Sequence, residues 1–273
     1  MLRRGRAAMS QDRASFRLVR HPLIVRRLTV VRTQRLHSRF ARVTLGGPAL
    51  DGFVTLAPED HVKLFFPVPG EREPVLPRVG ASGFLEPPPS GTPISRDYTP
   101  RRFDDGELDI DFFLHGEGVA SRWAASAKVG APLGLAGPRG SFVLQRDFDW
   151  HLFIGDETAL PEMARRIESL GDAKVLAIFY VAEPRIYPVP DRDDLDLEWV
   201  TCAEELRTRV RSVALPAGDG FIWIAGEAHD VRSTYRHFVA DRGIPPSRVH
   251  ASGHWKRGVV DHDHHEPISA EVA

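Results

Sequence analysis

The pattern of apolar residues changes near residue 150, and this change constrains the fold more than any other feature of the sequence. Before it, short runs rich in β-branched and aromatic residues, such as residues 40–45 and 61–66, are separated by Gly and Pro. In residues 108–114 apolar side chains alternate with two aspartates, which predicts a strand with its apolar residues on one face. Short strands at this spacing predict a β-barrel or a β-sandwich.

After residue 150 the sequence predicts strands that alternate with helices. One helix is predicted to begin at Thr158 as N-cap and to stop at Gly171, a second to span residues 204–213, and a third to end at Gly243. The intervening runs are wholly apolar, as expected for strands buried on both faces. They are residues 151–154, 175–181 and 221–225. This alternation predicts a doubly wound parallel sheet.

The two patterns divide the chain into four predicted segments. A β-barrel domain at residues 17–148 and an α/β domain at residues 149–258 are flanked by a basic arm at residues 1–16 and a His/Asp-rich tail at residues 259–273. Residues 67–93 are rich in Pro and Gly and are predicted to be a long loop within the barrel domain.

Both ends of the chain have a biased composition. Residues 1–42 contain twelve arginines and one aspartate, and we interpret them as a disordered arm followed by an arginine-studded strand, with an acidic partner as the alternative. Residues 261–266 read DHDHHE and could bind a divalent metal loosely, but we predict no functional metal site there.

Cysteine content and charge exclude several classes of function. Cys202 is the only cysteine, so the chain cannot form an intrachain disulfide or a thiolate-built zinc or iron–sulfur site; we predict that it is a packed core thiol. A net charge of −1 gives no overall attraction to nucleic acid. No apolar stretch reaches about 18 residues, and no secretory signal follows the N-terminal arginines. We therefore predict a cytoplasmic protein without a membrane span.

Two strand ends of the α/β domain carry candidate binding sequences. Doubly wound sheets bind ligands beyond the carboxyl ends of their strands. Residues 155–158 (GDET) and 226–228 (GEA) each follow a strand and open a helix, whose N-terminus could receive a phosphate. Their glycines either allow a ligand to approach the backbone or serve helix packing, and the sequence leaves both readings open. A G-x-G-x-x-G motif is absent, which argues against an ordinary dehydrogenase.

In the barrel domain, residues 96–101 (RDYTPR) have the chemistry to hold a flavin dinucleotide. Arg96 and Arg101 could pair with a pyrophosphate, Tyr98 could lie against the isoalloxazine, and Thr99 could hydrogen-bond its N5 edge. A solvated Arg–Tyr strand is the alternative for this hexapeptide alone.

A second segment of the same domain supports the flavin interpretation. In residues 115–121 (HGEGVAS), the glycines would let backbone amides surround a phosphate. Trp123 follows and could stack on a ring.

Seven motifs in register resemble the siderophore-interacting protein family, the ferric-siderophore reductases of the ferredoxin–NADP reductase-like superfamily. The resemblance covers residues 17–258 and departs from the family at Val119, where proline is usual. In chain order the motifs are DHVKLFFP (60–67), RDYTPR (96–101), HGEGVASRWA (115–124), GPRGSF (137–142), GDETALP (155–161), WIAGEA (223–228) and GHWKRG (253–258).

The resemblance implies FAD in the barrel domain and NADH or NADPH in the α/β domain, with electrons passing to Fe(III) in a chelate. The implied flavin-binding strand comprises Arg96, Tyr98, Thr99 and Arg101. The implied FAD phosphate and adenine segment comprises His115, Gly116, Gly118, Ala120, Ser121 and Trp123. The implied nicotinamide contacts are Gly155, Asp156, Glu157, Thr158, Ala225, Gly226 and Glu227.

Four basic residues in the matching motifs are predicted to bind the ferric siderophore. Two of the chain's four lysines are among them, and clustered cations attract an anionic chelate and stabilise its reduced form. The predicted substrate residues are Lys63, Arg139, Lys256 and its neighbour Arg257. Ordinary solvated surface cations are the alternative. We predict no catalytic side chain and no protein ligand to iron, because the flavin carries the chemistry.

Two alternatives to a ferric-siderophore reductase stay open. One is a flavin reductase for a quinone, free flavin or a protein carrier, and the other is a protein that binds a ferric siderophore without reducing it. For the nucleotide, Arg185 could hold a 2′-phosphate and Glu183 a 2′-hydroxyl; we favour NADPH. We predict a monomer.

Overall fold

The computed structural model describes residues 16–116 and 118–259, which divide into two compact units. The first unit is Leu18–Val143, and the second comprises the described residues from Leu144 onward together with Phe16 and Arg17. Nearly all of the predicted arm and tail lies outside the described residues. The domain boundaries that we drew from the sequence stay predictions.

In its described residues, the first unit is built of antiparallel strands, one α-helix, α1 (Val119–Ser126), and one short 3-10 helix at Pro48–Leu50. The strands of this part of the chain are β1 (Phe16–Arg20), β2 (Val25–His37), β3 (Phe40–Gly46), β4 (Val62–Phe66), β5 (Arg78–Val79), β6 (Leu85–Glu86), β7 (Ile94–Tyr98), β8 (Pro100–Asp104), β9 (Glu107–Phe113), β10 (Pro132–Ala136) and β11 (Gly140–Leu144). The predicted loop 67–93 therefore contains a short hairpin, β5–β6.

Seven of these strands form one sheet in the order β7-β4-β10-β2-β3-β9-β8. The two edge strands, β7 and β8, are consecutive in the chain and are joined only by Thr99. Because one residue cannot bridge the edges of a flat seven-stranded sheet, the sheet must curl until its edges meet at Thr99. The predicted barrel is confirmed.

Strand β9 shows how the barrel accommodates the two aspartates in its sequence pattern. Leu108, Ile110 and Phe112, which were predicted to share one face, are fully buried in the interior. Asp109 and Asp111 are buried as well, because β3 supplies their partners: Thr44 Oγ1 donates to Asp109 at 2.6 Å, and Arg42 Nε donates to Asp111 at 2.7 Å.

The second unit is a parallel five-stranded sheet in the order β14-β13-β12-β15-β16. Its elements are β12 (Trp150–Asp156), α2 (Leu160–Ser169), β13 (Lys174–Tyr180), β14 (Leu195–Val200), α3 (Ala203–Ser212), β15 (Gly220–Glu227), α4 (Ala228–Arg236) and β16 (Val249–Trp255). The strand order reverses between β12 and β15, and such a switch point is where doubly wound sheets bind ligands. The predicted parallel α/β sheet is confirmed.

Two predictions are wrong for residues that lie at or near helix starts. Helix α2 begins at Leu160, and Thr158 does not cap it, because its hydroxyl donates to Oδ1 of Asp156. Cys202 is an exposed thiol and not a core residue: it is the N-cap of α3, where Sγ accepts from the backbone N–H of Glu205 at 3.4 Å.

In the described residues, no helix has the length and apolar character that crossing a membrane requires.

Candidate functional site

The segment RDYTPR lies at the seam of the barrel, where β7 passes through Thr99 into β8. Tyr98 packs against the ring of Phe112 at a centroid distance of 4.4 Å and lies 6.4 Å from Phe66. Burial raises the pKa of Tyr98 well above its usual value, and the nearby charge of Arg96 opposes this only in part. The phenol is therefore neutral and can donate a hydrogen bond.

The two arginines of this segment differ in their surroundings. Arg96 is half-buried, and its Nη1 donates to the carbonyl of Ser95 at 2.6 Å. Arg101 is buried, and its Nε lies 3.9 Å from Oδ2 of Asp111, the aspartate that also pairs with Arg42. The charge of Arg101 is thus partly balanced within the barrel.

The start of α1 has the features of an anion site. Gly116 and Gly118 adopt φ angles of 80° and 84°, a region that favours glycine. Gly118 is the N-cap, no side-chain hydrogen bond caps the helix, and its first turn contains no acidic residue. Backbone N–H groups in the first turn of a helix have no intrahelical partner, and the helix dipole favours a negative charge there.

The remaining predicted residues of this segment are fixed by packing. Ala120 and Ser121 are buried on α1, and the His115 ring lies 6.1 Å from that of Phe113. Trp123 lies 5.5 Å from the Phe66 ring, edge to face.

An aromatic cluster brings RDYTPR and α1 together. Phe66 and Phe112 each contact both Tyr98 and Trp123. Trp123 also lines a cavity of about 550 Å³ between α1, residues 67–72 and residues 128–132. Its basic lining residues are Arg72, Arg122 and Lys128. This volume is within the range of small-molecule sites.

Two predicted substrate residues, Lys63 and Arg139, lie near each other in the sequence register of the first unit, where β4 begins and β10 ends. Lys63 on β4 is opposite Ala136 of β10, and Arg139 follows three residues later. Lys63 Nζ forms a partly exposed ion pair with Asp97 at 2.9 Å. The guanidinium of Arg139 lies 4.7 Å from the ring centroid of Phe84, whose side chain in the β5–β6 hairpin is 57% exposed.

The glycines at the strand ends of the second unit are required by internal packing. A Cβ at Gly155 would lie 2.9 Å from atoms of Ala159 and of Met163, the N-cap and a buried residue of α2. Gly226 has a φ of 143°, and a Cβ there would lie 2.6 Å from Oδ2 of Asp156. Helix and carboxylate packing account for both glycines, so a role in ligand approach stays a prediction.

Asp156, at the end of β12, accepts four hydrogen bonds. Oδ1 receives the backbone N–H and the hydroxyl of Thr158, and Oδ2 receives the backbone N–H of Glu227 and the indole N–H of Trp255. The adjacent Glu157 accepts from the backbone N–H of Ala182 at 2.9 Å. Ala225 pairs with Gly155 across the switch point.

Glu227 joins β15 to two neighbouring elements. Its Oε2 accepts from the N–H groups of His229 and Asp230, which caps α4, and its Oε1 accepts from the N–H of Arg257 at 3.1 Å. Burial would raise the pKa of Glu227, but these three hydrogen bonds outweigh it, so the pKa lies below the usual value. Glu227 is therefore an ionised cap.

His254 and Trp255, next to the predicted Lys256 and Arg257, are functional candidates that our sequence reasoning missed. His254 Nε2 lies 3.2 Å from Oε2 of the buried Glu162. Burial would lower the pKa of His254, but the hydrogen bond and charge of Glu162 raise it above its usual value. Their position at the carboxyl end of a strand of a parallel sheet was the available signal.

Both units match the sequence profiles of one protein family. Residues 29–142 match the siderophore-interacting FAD-binding domain, and residues 148–258 match the siderophore-interacting protein.

Individual relatives match over most of the chain. The NADPH-dependent ferric-chelate reductase of Escherichia coli is 40% identical, over 87% of this chain and 95% of its own length. The ferric vibriobactin reductase of Vibrio cholerae is 29% identical, over 88% and 93%. The crystal structure of a siderophore utilization protein from T. fusca superposes with a TM-score of 0.85 at 36% identity, over 92% of this chain and 99% of that one.

Proposed function

The chain belongs to the siderophore-interacting protein family, and we propose that it is an FAD-containing, NADPH-dependent reductase of ferric siderophores. One structural observation carries the proposal: the aromatic cluster of Phe66 and Phe112 holds Tyr98 at the barrel seam beside α1, whose N-terminus is open to an anion. As part of the proposal, the protein acts in the cytoplasm as a monomer.

The residues at this place fit FAD. The N–H groups at the start of α1 and the guanidinium of Arg96 would hold the pyrophosphate, while Tyr98 would lie against the ring system and Thr99 would bond its edge. When bound, FAD accepts a hydride from the nicotinamide and donates single electrons to Fe(III).

The nucleotide is proposed to bind at the carboxyl edge of the second sheet. The E. coli relative is named for NADPH. Arg185, which follows β13, is exposed and adopts a φ of 60°. An exposed guanidinium at this place suits a 2′-phosphate, which NADH lacks.

The four basic residues would attract the ferric chelate and stabilise its more negative reduced form. Arg139, Lys256 and Arg257 are exposed, and Lys63 is partly exposed. Relatives named for ferric chelates and ferric vibriobactin support this class of substrate. Iron keeps its siderophore ligands, and the chain supplies only charge.

An anaerobic experiment tests the proposal. NADPH should bleach the visible absorbance of the flavin, and ferric dicitrate added next should restore it with formation of Fe(II), trapped by a chromogenic chelator. Lys63→Ala and Lys256→Ala should each raise KM for ferric dicitrate roughly tenfold, a loss of about 1.4 kcal/mol. Lys174→Ala is the matched control, because Lys174 is exposed at the opposite, amino end of the sheet. Bleaching by NADPH without any Fe(II) would point to a different electron acceptor and refute the proposal.

A further inference from the structure

We propose that Asp156 is a positioning residue: through Trp255, its carboxylate fixes the turn that presents Lys256 and Arg257 to the anionic ferric chelate. The inference rests on the proposed function for the role of these two cations. It gives Asp156 an internal role in place of a nucleotide contact.

The carboxylate of Asp156 has no acceptor position left. An ionised carboxylate offers about four lone-pair positions. In Asp156, Thr158 fills two of these positions, with its backbone N at 2.9 Å and its Oγ1 at 2.6 Å. The other two are filled by the backbone N of Glu227 at 2.9 Å and by Nε1 of Trp255 at 2.8 Å. The residue is only 7% exposed. A ribose hydroxyl or a carboxamide could bind here only by displacing one of these donors.

A β-bulge directs the end of β16 toward Asp156. Gly226 pairs with Gly253, but the next residue of β15, Glu227, pairs with Trp255, so His254 is an extra residue in β16. Bulges turn a strand and redirect its side chains. As a result, two consecutive side chains reach β12 and the helix that follows it: Trp255 meets Asp156 at the end of β12, and His254 meets Glu162 on α2.

The chain beyond Trp255 is held at two further points. The backbone N–H of Arg257 donates to Oε1 of Glu227 at 3.1 Å. The N–H of Val259 donates to the carbonyl of Lys256 at 3.0 Å, which closes a four-residue turn whose third residue, Gly258, has a φ of 77°. Lys256 and Arg257 thus occupy the first two positions of a closed turn, with exposed side chains.

The glycine at position 226, on β15, also supports an internal role for Asp156. A Cβ at this position would lie 2.6 Å from Oδ2 and 2.8 Å from Cγ of Asp156. The backbone of β15 can therefore approach the carboxylate only because residue 226 has no side chain.

Holding the turn in place should matter for affinity. A cation on a mobile segment must lose conformational freedom when the chelate binds, and preorganisation removes this cost. The hydrogen bond from Trp255 is the side-chain contact that joins the turn to Asp156.

The test uses Trp255→Phe, which keeps an aromatic ring and removes the indole N–H. Binding of the redox-inert gallium(III) dicitrate is measured by titration, together with KM and kcat for ferric dicitrate. We expect roughly a fivefold to tenfold weaker Kd for gallium(III) dicitrate and an equal rise in KM, with kcat and KM for NADPH within about twofold of the wild type. Asp156→Asn should weaken binding similarly. Trp199→Phe on β14, whose ring contacts Phe179, is the matched control and should bind like the wild type.

Different results separate this inference from the proposed function. A native Kd in Trp255→Phe, alongside weakened binding in Lys256→Ala, would overturn the positioning role and leave the proposed function intact. Wild-type protein that binds gallium(III) dicitrate but never reduces the ferric chelate would refute the proposed function. The Kd values of the wild type and the variants for gallium(III) dicitrate would still decide the role of Asp156. An equal loss of affinity for an uncharged ferric trihydroxamate would also overturn the inference, because positioned cations should favour the anion.

Discussion

His151 shows how one buried side chain makes stability depend on pH. It is 2% exposed, and its Nδ1 accepts from Nε1 of Trp223 at 3.0 Å. Burial, aided by the charge of Arg192, lowers the pKa of His151 to about 4. The unfolded chain has a His pKa of about 6.5, so between these values the unfolded state binds more protons. Acid therefore favours unfolding.

We predict that the free energy of unfolding falls as the pH is lowered from about 6.5 to about 4, with up to about 3 kcal/mol from His151. Urea unfolding at several pH values measures this. His151→Asn keeps an acceptor for Trp223 but cannot titrate, so its slope should be shallower. His250, whose pKa is also lowered by burial, should leave a residual slope. An identical slope in His151→Asn would contradict the prediction.

Sequence reasoning can nominate residues whose chemistry is local, but not residues whose role depends on distant partners. RDYTPR and the glycines before α1 were nominated because their chemistry is local, and their roles stay predictions. The partners of Asp156 were not, since Glu227 and Trp255 lie 71 and 99 positions further along the chain. Thr158 and Cys202 were misjudged because a hydroxyl or thiol at a helix start has several local acceptors and donors, and backbone angles decide among them.

At the level of elements, hydrophobic periodicity was enough to predict the two kinds of sheet. Strands buried on both faces, such as β13, read as apolar runs, and the alternation with helices implied parallel order. Periodicity could not predict that β7 and β8 become the two edges of one sheet, because strand pairing is a long-range property. The bulge at His254 has no signature in the sequence for the same reason.

Helix α1 gives a prediction for an element end. Gly118 has a φ of 84°, and a Cβ there would lie 3.2 Å from Cε1 of His115. Gly118→Ala should therefore distort the start of α1 and weaken FAD binding roughly tenfold, because the N–H groups no longer converge on one anion. Titration of the flavin-free protein with FAD, followed by fluorescence, measures the Kd.

A matched glycine separates this effect from general backbone strain. Gly106, between β8 and β9, has a φ of 73°, and a Cβ added there would meet no atom within 4 Å. Gly106→Ala should lower stability by about 1–2 kcal/mol while keeping the wild-type affinity for FAD. Equal affinities in the two variants would show that the start of α1 does not bind the pyrophosphate.

For the whole molecule, the division into two compact units implies that removing FAD should lower the stability of one unit more than that of the other. A ligand that binds only the folded state stabilises it by RT ln(1 + [L]/Kd), or about 2.7 kcal/mol at a free concentration of 100 Kd. FAD is proposed to bind residues of the first unit, so FAD should raise the Tm of the transition in which that unit unfolds. A separate transition, in which the second unit unfolds, should keep its midpoint temperature.

Calorimetry of flavin-free protein with and without FAD measures both transitions. Gly118→Ala should need about tenfold more FAD for the same shift in Tm. A Tm that FAD leaves unchanged in the wild type would contradict an FAD site in the barrel.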